Sequence, residues 1–207
     1  MARVEVYYSL QSDYCYFLLD RLIWLADRAE VVMCPVLPGL IRNPQAYVGR
    51  GAMEMAYFQR DTARMSEMLG MPYRYPNPSP VAFEDGSLWL AAKDQPRVAG
   101  LYQLFVAASL QAKALAFLDQ VMRLIWDGRG DDWTDEAVMA EALSRAGLDM
   151  AELRAVPKRR IDAALEENHA AMAKAGHWGV PLMVVNGEPF YGQDRFDHVL
   201  WRLGISE

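Results

Sequence analysis

The spacing of apolar and turn residues predicts an α/β protein whose small sheet is interrupted in sequence by a long run of helices. Three observations carry that expectation. Segments rich in β-branched and aromatic residues fall near the two ends, at Val4–Ser9, Glu30–Val36, Leu182–Val185 and Pro189–Tyr191. Between them, roughly half the chain has helical spacing or helix-forming composition. The order is therefore β-α-β, a helical block, then β-β-α.

Val4–Ser9 reads as a short buried strand, followed from about Ser12 to Arg28 by a helix and then by the strand Glu30–Val36. A crossover helix between two strands places them parallel in one sheet. Pro35, Pro38 and Gly39 close this unit. The helical block is expected at Ala52–Leu69, Leu88–Ala108, Ala112–Trp126, Asp135–Ala146 and Met150–Ala175. Pro96 and Pro157 are expected to break two of these, because proline removes an amide donor and clashes with the preceding turn. Pro72–Pro80 and Gly128-Arg129-Gly130 are punctuation, and Asp149-Met150-Ala151-Glu152 has the form of a capping box. Asn186-Gly187 between apolar runs signals a two-residue hairpin. Asp194–Leu203 reads as a closing helix with Asp194 as its N-cap.

At 207 residues, with 53% hydrophobic and 23% charged side chains, the chain can bury its own core. A net charge of -6 disfavours a phosphate-binding surface, so nucleic acid is not an expected partner. No apolar run reaches the roughly 18 residues that span a bilayer. The opening M-A-R-V-E-V-Y-Y lacks signal-peptide or transit-peptide character, which makes a cytoplasmic location the expectation. Two cysteines, Cys15 and Cys34, cannot form a disulfide framework, and His169, His177 and His198 show no zinc-ligand spacing.

The strings "VYYSLQSDYCYFLL" and "GHWGVPLMVVNGEPFYGQDR", separated by the helical block, resemble the 2-hydroxychromene-2-carboxylate isomerase family and the related kappa-class glutathione transferases. The likeness covers nearly the whole chain and is most specific at G-V-P…N-G-x-x-F-x-G-Q-D-R. It implies a thioredoxin-like fold of the DsbA-like form, with residues 1–38 and 176–207 as the thioredoxin-like domain and 39–175 as an inserted helical domain. It also implies a role for Ser12, which stands where redox relatives carry the attacking cysteine of C-x-x-C. Serine forms no disulfide; in the family it hydrogen-bonds the sulfur of bound glutathione. That use suits a helix N-terminus, whose amides and partial positive charge favour thiolate over thiol. Ser12 is otherwise an N-cap worth about 1 kcal/mol.

The same resemblance implies a cis Val180-Pro181 bond, with the main chain of Val180 pairing with the cysteine part of glutathione. Gln193 and Asp194 match the family's pair for the γ-glutamyl group, Arg50 its basic residue for the glycine carboxylate, and Asn43 its ligand-binding asparagine. Arg195 reads as a surface or ion-pairing residue. The chain departs from the family at Ser12-Asp13-Tyr14-Cys15, where relatives read S-P-(F/Y)-S or S-P-(F/Y)-A. Asp13 suits the first turn of a helix and opposes a nearby thiolate. Cys15 and Cys34 read first as small core residues. Trp89, Tyr57, Phe58, Tyr102 and Phe105 are candidates for an aromatic substrate's pocket and equally for core, and Met53, Met55, Met65, Met68 and Met71 read first as packing.

The activity implied is a glutathione-dependent isomerase of a small aromatic 2-hydroxychromene-2-carboxylate-like compound, with glutathione regenerated and the protein a homodimer. Alternatives are a kappa-like glutathione transferase or peroxidase, a DsbA-like disulfide oxidoreductase working through Cys15, and a binding module without turnover.

Overall fold

The computed structural model of the protein describes residues 2–130 and 132–206. In it, β1 (Arg3–Tyr8), α1 (Asp13–Ala26) and β2 (Glu30–Pro35) form the opening unit, and β1 and β2 run parallel with Val6 opposite Met33. Then come α2 (Gly39–Arg42), a 3-10 turn at Pro44–Tyr47, α3 (Ala52–Leu69), α4 (Val98–Leu110), α5 (Ala114–Trp126), α6 (Glu136–Arg145), α7 (Met150–Ala155) and α8 (Lys158–Lys174). β3 (Leu182–Val185), β4 (Glu188–Tyr191), a 3-10 turn at Gln193–Arg195 and α9 (Phe196–Leu203) complete the chain.

The four-stranded sheet has the order β2-β1-β3-β4, with β3 antiparallel to β1 and to β4. Strand alternation sorts its side chains onto two faces. Val4, Val6, Tyr8, Met33, Met183 and Val185 join the large core shared with α1, α4, α5 and α9. Tyr7, Cys34, Leu182 and Val184 join a smaller cluster with Met172 of α8. Positive φ at both Asn186 (51°) and Gly187 (82°) gives the β3–β4 hairpin the backbone that matches strand twist. No helix among the described residues is long and apolar enough to cross a membrane.

Both helical runs that contain a proline are interrupted at it, in different ways. The run at Met150–Ala175 divides into α7 and α8 at Val156-Pro157, and the carbonyls of Leu153 and Val156 accept from Gln103 Nε2 at 3.0 and 2.9 Å. The run at Leu88–Ala108 becomes a helix only from Val98. Residues 82–92 instead pair their main chains with one another, Glu84 N–H to Leu90 at 2.9 Å and Ala92 N–H to Ala82 at 2.9 Å, and Gln95 Oε1 and Nε2 clasp Ala82. Backbone donors used in that loop are not available to a helix, so Leu88 and Trp89 lie on a loop. The closing helix also differs from expectation: α9 starts at Phe196 with Arg195 at its N-cap, because Asp194 lies within the 3-10 turn and ion-pairs with Arg195 at 3.0 Å.

Buried phenol and indole groups pin the β1–α1 connection. Tyr102 of α4 has its hydroxyl 3.0 Å from Ser9 Oγ and accepts from Leu10 N–H at 3.2 Å. Trp126 Nε1 donates to Leu10 C=O at 3.0 Å. Tyr102→Phe leaves Leu10 N–H and Ser9 Oγ buried without that partner, so the free energy of unfolding is expected to drop by about 1–3 kcal/mol in urea titration; an unchanged midpoint would contradict this.

Candidate active site

The connection between β1 and α1 is the floor of a cleft. Gln11 is tethered to the 75–81 loop, its Oε1 accepting from Val81 N–H at 2.8 Å and from Ser79 Oγ at 3.1 Å. Ser12 N–H donates to Ser9 C=O at 3.2 Å, and Ser12 caps α1 by accepting from Cys15 N–H at 3.3 Å. A hydroxyl that accepts one hydrogen bond still has its own proton to donate, and Ser12 lines the cleft.

Cys15 lies beneath that hydroxyl and is fully buried. Burial pushes its thiol up to about 12, with Ser12 and the Ser9 main chain offsetting only part of the desolvation. The thiolate needed for exchange is then scarce at neutral pH, which disfavours a redox role. Cys34 is likewise buried in the smaller cluster and pushed up to about 12.

Asp13 differs most from what the sequence led one to expect. It occupies the first position of α1, yet it is only 4% exposed. Its Oδ1 accepts from Tyr14 N–H at 2.9 Å and its Oδ2 from the Tyr73 hydroxyl at 3.4 Å. Desolvation raises its pKa to about 7 against these two donors, and the carboxylate of Asp61 adds to the rise. Asp61 in turn accepts from the Tyr14 hydroxyl at 2.6 Å, joining α1 to α3.

The inner cleft, of about 190 Å³, is bounded by Ser12 and Asp13 on one side and by Trp178, Val180 and Tyr191 on another. It opens into an outer cleft of about 490 Å³, and Tyr14, Arg50, Phe58 and Trp89 line both. Arg50 is held by rings: its guanidinium lies 4.8 Å from the Tyr47 centroid and 5.1 Å from that of Trp89. These two ring contacts hold its guanidinium beside the cleft while leaving N–H donors for an anion. The Val180-Pro181 peptide is cis. Neither the N–H nor the C=O of Val180 pairs with another main-chain group among the described residues. Arg42 fixes the approach to Val180 by donating to Leu37 C=O at 2.6 Å and Trp178 C=O at 3.0 Å. Gly179 admits no side chain, because a Cβ there would collide with Tyr191 and His177. Among the described residues, no group of three His, Cys, Asp or Glu side chains is placed to share a metal ion.

Of the residues singled out by sequence, Ser12, Arg50 and Val180 line the cleft. Asn43 sits at the C-terminus of α2 and Pro181 is buried, both outside the lining. Gln193 is 6% exposed and turned inward, its amide bonded to Arg21 and, at 3.5 Å, to Met65 Sδ. Asp194 faces outward in its pair with Arg195. Phe58, Trp89 and Met55 reach the inner cleft and Tyr57 and Met53 the outer one, whereas Tyr102, Phe105 and Met71 belong to the core. Sequence reasoning missed Arg42, Tyr47 and Trp178. The available signal was their flanking of Gly39 and of G-V-P, where loops converge.

Asp13 makes stability depend on pH with a definite sign. The unfolded carboxyl ionises near 3.8 and the folded one at about 7, so the folded state binds the extra proton and stability falls as pH rises between those values. The loss amounts to at most about 4 kcal/mol. Asp13→Asn is therefore expected to be more stable than the parent at about pH 8 and similar to it near pH 4, in denaturant melts at both. A difference that does not vary with pH would contradict it.

A family model for the DSBA-like thioredoxin domain matches residues 3–204. No curated protein matches the chain by sequence. Among solved structures, a 2-hydroxychromene-2-carboxylate isomerase is similar at TM-score 0.67 and 19% identity, over 98% of this chain and 94% of that one. A probable DsbA oxidoreductase from Streptomyces coelicolor is similar at TM-score 0.66 and 21% identity, over 99% and 90%. The cytosolic disulfide reductase DsbM from Pseudomonas aeruginosa, also solved with GSH, is similar at TM-score 0.61 and 15% identity, over 97% of each chain. At these identities the likenesses speak for the fold, and the match of the family model across the sheet and all its helices is the stronger finding: the chain belongs to the DsbA-like thioredoxin domain family.

Proposed function

We propose that the protein is a glutathione-dependent isomerase of a small aromatic compound resembling 2-hydroxychromene-2-carboxylate. The observation that carries this reading is a serine hydroxyl, not a cysteine, at the cleft-facing start of α1, with Cys15 buried behind it. Such a site can hold another molecule's sulfur but cannot readily exchange a disulfide of its own.

The cleft offers partners suited to a tripeptide thiol. The open N–H and C=O of Val180 suit the peptide's middle residue, and Arg50 suits a terminal carboxylate. The Gln193-Asp194 pair expected for the γ-glutamyl end lies outside the lining, which leaves Gln11 on the cleft floor as a polar candidate for that end. Bound glutathione would supply a nucleophilic sulfur that adds to a conjugated carbon and leaves again once the bond has rotated or the ring has opened. Ser12 would donate to that sulfur, and the amides of the first turn of α1 would add their field, which strengthens as apolar walls exclude water. Trp89, Phe58 and Tyr14 would take the aromatic partner across the outer cleft. The isomerase and DsbM-with-GSH neighbours accord with this reading, which also includes the homodimer and cytoplasmic setting expected from the sequence.

Ring-opening isomerisation followed with and without glutathione tests the proposal. The reaction is expected to require glutathione without consuming it, and Ser12→Ala to lower kcat/KM by about 10²-fold. Equal rates with glutathione absent, or in the variant, would contradict it. Consumption of the thiol would point instead to a transferase or peroxidase.

A further inference from the structure

Asp13 is the one acidic side chain buried among the described residues, and it lies where the proposed ligand would ionise. Ser12 Oγ accepts from the Cys15 amide and Asp13 Oδ1 from the Tyr14 amide, so the two oxygens sit over adjacent N–H groups at one helix end. Both residues line the inner cleft. The groups facing the carboxyl are the Tyr73 hydroxyl and Tyr75 from the 71–80 loop, the Cys15 thiol from α1, and Asp61 of α3 through the Tyr14 hydroxyl. These are phenols, a thiol and a second carboxylate.

We propose that the Asp13 carboxylate is the base that takes the proton of the thiol bound at Ser12, so that the ligand ionises within the cleft without releasing a proton to water. This rests on the glutathione reading above. In the step, the S–H bond breaks and its electron pair stays on sulfur, while an O–H bond forms on Asp13. The cleft holds one negative charge before and after, and nothing is oxidised or reduced. The charge moves from a carboxylate enclosed by phenols to a sulfur facing the Ser12 hydroxyl and the helix amides, where donors are available to receive it. Without the transfer, two like charges would share a poorly solvated site. When the thiol leaves the product, the proton returns to it. An acid raised to about 7 can act in this way near neutrality and is already protonated under more acidic conditions.

Calorimetric titration with glutathione in two buffers of different ionisation enthalpy reads the protons released, and the ultraviolet thiolate band reads ionisation of the ligand. At about pH 8 the wild-type protein is expected to show the band with almost no proton released, and at about pH 6 to release about one proton per thiolate formed. Asp13→Asn is expected at about pH 8 either to release about one proton or to lose the band. If the wild-type protein at about pH 8 forms the band but releases about one proton per thiolate, as it does at about pH 6, Asp13 is not the acceptor and the glutathione reading stands. If glutathione binds without the band, the proposal is overturned with glutathione binding intact. If neither protein binds glutathione, both readings are overturned.

Discussion

A helix that begins inside a protein brings unpaired amide donors with it, and something other than bulk water must meet them. In α1 the first two side chains do so, Ser12 over the Cys15 amide and Asp13 over the Tyr14 amide. The connection that presents them is fixed by contacts from distant elements: Tyr102 and Trp126 on Leu10, and the 75–81 loop on Gln11. The positive end of the helix consequently faces a cleft and not a solvated surface, where its field would be screened. In the proposed function this placement is what would favour an anion, and because Ser12 carries no thiol the sulfur would come from another molecule.

The same first turn also contains an acid that competes for that role. An ionised Asp13 and a bound thiolate would occupy neighbouring positions with the same charge, so the cleft favours one of them at a time. Burial raises Asp13 to about 7, so it gives up its charge readily and eases the conflict that its sequence position suggests. Cys15 is silenced by the same means, since its desolvation exceeds the help it receives from Ser12. Two residues that look reactive in the sequence thus meet opposite ends under one force: the thiol becomes inert, and the carboxyl is tuned to the neutral range.

The elements governed by local rules were legible in the sequence. Alternation in β1 and β3, the Asn186-Gly187 hairpin and the break at Pro157 each depend on residues a few positions apart, and each appears in the structure. The segment before α4 was not legible, because its apolar spacing fits a helix while Gln95 and the cross-pairing of residues 82–92 take its backbone donors. The loop carries Leu88 and Trp89 into the cleft, and of the two only Trp89 was a pocket candidate in the sequence. The cleft's lining was legible where a motif marks it, at Ser12 and Val180. It was illegible where a side chain's orientation decides: Gln193 turns inward to Arg21 and Met65, Asp194 outward to Arg195, and nothing local specifies either. The burial of Asp13 depends on Tyr73, sixty residues away in sequence.

The most direct test of the account is a crystal structure with glutathione bound. The account predicts the ligand's sulfur within hydrogen-bonding distance of Ser12 Oγ at the start of α1, its peptide main chain paired with Val180 and a carboxylate against Arg50. A sulfur bonded to Cys15, or a ligand lying outside the cleft with the Ser12 hydroxyl turned away from it, would contradict the account.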